Sequence, residues 1–153
     1  MSEDHGNIEA RLRRLEDLDA IRQLFIDYGR LLDQGAIEAY AELFTEDAEL
    51  RLGPIGTADG REQIRQVMTK ALAGVTGNSY HLITSPTIDL DGDRATTEVM
   101  WTVVVRGADG KPVVPMVGKH RDVVVRTPQG WRFARREGLI DIPSRYAGSG
   151  VAS

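Results

Sequence analysis

The sequence predicts an α+β fold: three N-terminal helices packed on a strongly curved, mostly antiparallel sheet that encloses a pocket. Two observations carry this. In the first half of the 153-residue chain, apolar residues recur at three- and four-residue steps. From residue 79 onward, four β-branched and aromatic-rich segments follow one another with turn sequences between them. No internal repeat interrupts that order.

The first helix is marked by Ile8, Leu12, Leu15, Leu18, Ile21, Leu24, Phe25, Tyr28, Leu31 and Leu32, read as one core-facing stripe. Asp19 could cap a second segment if the helix breaks near Leu18. The helix is expected to end at Gln34-Gly35, with glycine in the usual position after a C-terminus. A short second helix over 36–44 stops at Thr45-Glu46-Asp47, and residues 48–52 alternate as a strand. Gly53-Pro54-Ile55-Gly56 and Asp59-Gly60 are turn chemistry. A third helix over 60–73 follows, with Ile64, Val67, Met68, Ala71 and Leu72 on one face. The later strands are expected at 79–90, 94–106, 113–126 and 130–142. Residues 1–7 read as a flexible leader, 8–142 as one domain, and 143–153 as a flexible tail.

Composition narrows the function classes. Apolar residues make up 41% and charged residues 27%, ordinary for a soluble globular chain. A net charge of -4 argues against a nucleic-acid partner. There is no cysteine, which excludes thiolate nucleophiles, disulfides and zinc–thiolate sites. No apolar run has the length of a membrane span, and the polar start shows no signal peptide, so a cytoplasmic protein is expected. The three histidines lack metal-ligand spacing, and neither a phosphate loop nor a nucleophile elbow is present. No metal or organic cofactor is expected.

One carboxylate stands out. Asp27 lies on the shoulder of the apolar stripe, with Leu24 and Leu31 as helical neighbours. A carboxylate there must reach water or find a partner. Periodicity alone favours a solvated helix edge. Strand alternation puts His81 on one face with Ser79, Ile83 and Ser85, and His120 on one face with Asp122, Val124 and Arg126. Tyr28, Tyr40, His120 and Arg126 are candidate hydrogen-bond donors to a substrate. Trp101, Met68, Met100, Met116, Trp131 and Phe133 are candidate apolar lining.

The segments AIRQLFIDYGRLLDQG, YAELFTEDAEL, SYHLITSPTIDL and GKHRDVVVRTPQGWRFARREG resemble the NTF2-like, or cystatin-like cone, superfamily. They are most similar to its SnoaL-like branch, which includes scytalone dehydratase, hexachlorocyclohexane dehydrochlorinase and bile acid 7α-dehydratase. The resemblance implies a first-helix aspartate paired with a histidine on the strand after the third helix, matched here to Asp27 and His81. It also implies a tyrosine beside that aspartate, Tyr28, and a second pocket histidine on a later strand, for which His120 is the candidate. It implies a homodimer or homotrimer formed through the exposed sheet.

These residue types suit proton abstraction. An aspartate bonded to Nδ1–H fixes the histidine tautomer, and Nε2 then serves as a general base near neutral pH. The expected function is a cofactor-independent lyase of dehydratase type acting on a hydrophobic cyclic or polyketide-like molecule. An isomerase or polyketide cyclase using the same base, and a non-catalytic ligand-binding module, remain open alternatives.

Overall fold

The computed structural model describes residues 2–143. Ten elements follow one another: α1 (Ser2–Gln34), α2 (Ile37–Ala41), β1 (Phe44–Arg51), a 3-10 turn (Gly53–Ile55), β2 (Thr57–Asp59), α3 (Arg61–Ala71), β3 (Ser79–Asp91), β4 (Arg94–Arg106), β5 (Pro112–Thr127) and β6 (Gly130–Ile142). The six strands form one sheet in the order β2-β1-β6-β5-β4-β3. Only the β1–β6 pair is parallel, so the sheet is mostly antiparallel, as the sequence predicts. The three helices pack on it, and the core lies between: Ile21, Phe25 and Leu32 of α1, Ile64 of α3, and Val99, Val124 and Phe133 of the sheet are buried together.

Three details differ from expectation. α1 is continuous through Leu18 and reaches back to Ser2, through residues read as a leader. Extending an existing helix adds one hydrogen bond per residue fixed, without a new nucleation cost. β1 begins at Phe44 rather than Ala48, because Phe44 pairs with Phe133 of β6 ahead of an irregularity in the register. β2 lies between the turn sequences 53–56 and 59–60, where no strand is expected. Three residues are too few to show a period, and tertiary pairing decides them: Ala58 sits opposite Leu50 and is buried. The expected tail falls almost wholly on residues 144–153, outside those described.

Breaks in alternation bend the sheet and re-aim its side chains. Along β3 the inward positions are Ser79, His81 and Ile83, then Ile88 and Leu90. The parity changes across a register shift between Thr84 and Thr87, where Ser85 takes a positive φ of 52°. In β6 the inward positions are Trp131 and Phe133, then Arg136, Gly138 and Ile140. There the shift lies opposite Val123/Val124. β5 shows no such change from Gly118 through His120 and Asp122 to Val124.

Candidate active site

The site begins at the crossing of α1 and β3. Gly29 of α1 lies against the His81 backbone: a Cβ there would stand 3.0 Å from the His81 carbonyl oxygen and 3.3 Å from Ile83 Cγ1. A glycine inside a helix costs about 1 kcal/mol relative to alanine. Here it permits a close approach. Four residues on, and so on the same helix face, comes Asp33.

Asp33 Oδ1 accepts the backbone N–H of His81 at 2.9 Å and ring Nδ1 at 2.8 Å. A carboxylate can only accept, so Nδ1 carries the proton and Nε2 is left with its lone pair free. The two side chains retain 20% and 19% of their exposure, which is enough for solvent contact without losing the pair's geometry.

The expected partner was Asp27, and the geometry corrects it. Asp27 accepts a hydrogen bond from Gln23 Nε2 at 2.9 Å, one turn back on its own helix. Asp27 and Asp33 are six residues apart, which turns them about 120° from each other around α1. It is the face carrying Gly29 and Asp33 that meets His81. The signal in the sequence was the mid-helix glycine, not the apolar stripe.

His81 lines a small cavity of about 70 Å³, together with Tyr28, Met68, Trp101, Met116 and His120 among others. Five of the expected site residues therefore converge with His81. Tyr28 is buried, its ring 5.4 Å from that of His120 and 5.2 Å from that of Tyr40. A Cβ at Gly118 would overlap both the Leu139 carbonyl and the Trp101 ring, so glycine there lets Trp101 into the wall. The Trp101 Nε1 and His120 Nδ1 atoms are buried without a protein partner. They are unspent polar groups in a mainly apolar wall.

Five other expected residues lie elsewhere: Phe133 is fully buried in the core, Trp131 is buried with its indole N–H donating to Asp17 at 3.1 Å, and the remaining three are Met100, Tyr40 and Arg126. Met100 is exposed on the outer face of the sheet, since neighbours along a strand point to opposite sides and Trp101 points in. Tyr40 is fully buried in the core and is not among the cavity's lining residues; burial pushes its hydroxyl well above the usual phenol range. Arg126 shares the inward face of β5 with His120 but sits six residues on, about 20 Å away. There it holds Asp17 with two hydrogen bonds of 2.8 and 2.7 Å and Asp93 with one of 2.7 Å, with its guanidinium over the Trp131 ring.

Behind the cavity lies a buried ion pair. Arg136 is fully buried and donates to both oxygens of Asp122 at 2.7 Å each. Thr97 Oγ1 also donates to Asp122. The guanidinium carbon stands 4.0 Å from the ring centres of both Tyr28 and Phe133. Burial, then the Arg136 charge, then His81, hold His120 well below the usual histidine range. His120 is thus neutral at pH 7. It can give or take a hydrogen bond but cannot serve as an imidazolium acid.

Among the described residues, no group of three or more histidine and acidic side chains is placed to hold a metal ion. No helix among them is long and apolar enough to cross a membrane.

Fold and site together define a class: a helix-covered cone with a histidine–carboxylate pair in the wall of an apolar cavity. The chain belongs to the SnoaL-like domain family, whose family model matches residues 13–137. It is 31% identical over 124 residues to an uncharacterized protein of Mycobacterium tuberculosis, covering 80% of this chain and 84% of that protein. It is 29% identical over 126 residues to the anthranilate 1,2-dioxygenase small subunit of Burkholderia cepacia, covering 72% and 78%. Among solved structures, an NTF2-like protein with a cystatin-like fold from Novosphingobium aromaticivorans superposes with a TM-score of 0.82 at 35% identity, covering 92% of each chain.

Proposed function

We propose that the chain is a cofactor-independent lyase of the dehydratase type, acting on a hydrophobic cyclic small molecule. One observation carries the reading: the 2.8 Å bond from His81 Nδ1 to Asp33, in the wall of the cavity. His81 Nε2 takes a proton from a carbon next to a carbonyl, and the electron pair moves onto the carbonyl oxygen as an enolate. The enolate then collapses and expels the β-hydroxyl, which leaves as water with the proton returned from the His81 imidazolium. Asp33 stabilises that imidazolium and keeps the ring aimed. The Tyr28 hydroxyl and the Trp101 indole N–H are the donors proposed for the oxygens that gain charge. An isomerase or cyclase would share the first step and differ in where the proton returns.

The first step is tested by following hydrogen–deuterium exchange α to the carbonyl in a panel of cyclic β-hydroxyketones in D2O. Catalysed exchange is expected with the wild type, and its loss in His81→Ala and Asp33→Asn. Equal exchange by both variants would overturn the reading.

A second reading is favoured by the small size of the cavity and by the dioxygenase small-subunit relative. On it, the chain is a non-catalytic subunit, and no member of the panel exchanges. Admitting a ring requires the wall to yield, and Ile55 on the 3-10 turn is its exposed part.

A further inference from the structure

α1 carries two apolar stripes, not one. Ile21, Leu24, Phe25, Tyr28 and Leu32 face the core. Ile8, Leu12 and Leu15 do not join them: they are 59%, 54% and 63% exposed. At about 100° per residue, these three lie within about 60° of one another, on the side of the helix opposite the core stripe. Ile26, 52% exposed, lies on the same line three turns further on. The inward side of the first half is instead small or polar, with Gly6, Ala10, Arg13, Arg14 and Asp17 lining a groove against Leu90, Gly92 and Asp93. The sequence pattern that reads as a core face is therefore turned outward, and none of the described residues covers it.

The spacing of Ile8, Leu12 and Leu15, by four and then three, is that of alternating d and a positions of a heptad, and Ile26 continues the frame at a. The flanks differ in sign. Arg11 borders the stripe on one side; Glu9 and Glu16 border it on the other, and all three are exposed. In a parallel pair of such helices, the g-position Arg11 of each copy lies against the e-position Glu16 of the other. In an antiparallel pair, the acidic flanks would face each other and so would the basic ones. Asp19 and Arg22 interrupt the seam between Leu15 and Ile26. In the parallel frame these two layers set like charges against each other, Asp19 to Asp19 and Arg22 to Arg22, so the close seam is confined to Ile8, Leu12 and Leu15.

We infer that the outer face of α1 pairs with α1 of a second copy, in parallel, about a two-fold axis along the Ile8–Leu12–Leu15 seam. The bodies then lie on the outside of the helix pair, where the core stripe holds them. This surface is separate from the outer sheet face that carries Tyr80, Leu82 and Met100.

The test is sedimentation of the full chain up to about 100 µM, a range that detects even weak self-association. A dimer is expected for the wild type and a monomer for Leu12→Glu/Leu15→Glu, with far-UV circular dichroism and melting temperature retained because both positions are exposed. Arg11→Glu should weaken the dimer roughly tenfold, and Arg11→Glu with Glu16→Arg should restore it. The chain has no cysteine, so a single Leu15→Cys, at the end of the seam, reports orientation: oxidation should join two copies through that position. A monomeric wild type would overturn the inference, as would a dimer that survives Leu12→Glu/Leu15→Glu and so uses the sheet face. Cross-linking of Ile8→Cys to Leu15→Cys, without Leu15→Cys pairing with itself, would overturn the parallel arrangement.

Discussion

Asp33 Oδ1 accepts two hydrogen bonds from one residue, His81: the backbone N–H at 2.9 Å and the ring Nδ1–H at 2.8 Å. The first fixes where the strand lies against the helix, and the second fixes how the ring is turned. The helix end and the proposed base are thus set by one atom.

The proton on His81 therefore depends on Asp33. In the wild type, nitrogen NMR should report a single tautomer with Nδ1 protonated. Asp33→Asn, whose amide can donate as well as accept, should give a mixture and lower proton abstraction by about 10²- to 10⁴-fold. Asp27→Asn should change neither. An equal loss in Asp27→Asn would refute this assignment.

Gly29→Ala should destabilise the protein although alanine is the better helix former. The added Cβ meets the His81 carbonyl at 3.0 Å, a backbone atom that can move only with its strand. We expect an overpacking cost of about 1–3 kcal/mol that exceeds the helix gain of about 1 kcal/mol. The melting temperature should fall and the His81 nitrogen signals shift. A rise in melting temperature would mean that the crossing is looser than described.

Arg136→Met should cost about 3–5 kcal/mol in urea denaturation, because it leaves the fully buried Asp122 carboxylate without its cation. Asp122→Leu should cost a similar amount for the converse reason. The double variant should lose clearly less than the sum of the two. Simple additivity would show that the pair is not coupled.

The neutral state of His120 makes stability depend on pH. Burial and Arg136 hold its folded pKa well below 6.5, whereas in the unfolded chain it titrates near the ordinary value. Above about pH 6.5 both states are neutral and the group gives no slope. As pH falls below that, the unfolded chain takes up a proton that the folded one refuses. Stability then drops by at most about 1.4 kcal/mol per pH unit until the folded pKa is reached. His120→Gln should remove that part of the slope between about pH 5 and 6.5. An unchanged slope would locate the dependence in other groups.

Much of the fold was legible because its signals are local. β4 and β6 fall on the expected bounds, and the other long strands and α3 within about two residues of theirs, since a period and a turn are written into neighbouring residues. Gly35, with φ of 66°, ends α1 where glycine was expected to. Alternation also grouped His81 with Ser79 and Ile83, and His120 with Asp122 and Val124; packing decided that these faces look inward. Alternation could have rejected Met100, which cannot share a face with Trp101. Arg126 lay beyond that logic: it has the right face, but nothing local says which end of the strand the helix covers.

The sequence by itself determined the elements, their order and the apolar side of most of them, because residue spacing and backbone geometry fix those within a few residues. Tertiary structure decided which carboxylate meets His81, across a separation of 48 residues. It also decided that Arg136 rather than Arg135 is buried. The first follows from where Gly29 lets α1 touch β3. The second follows from the register shift in β6, which reverses the parity after Phe133. Both depend on packing between distant segments, which no local period encodes. So does the outward turn of Ile8, Leu12 and Leu15: their spacing marks an apolar face, and only the position of the sheet shows that this face looks away from the core.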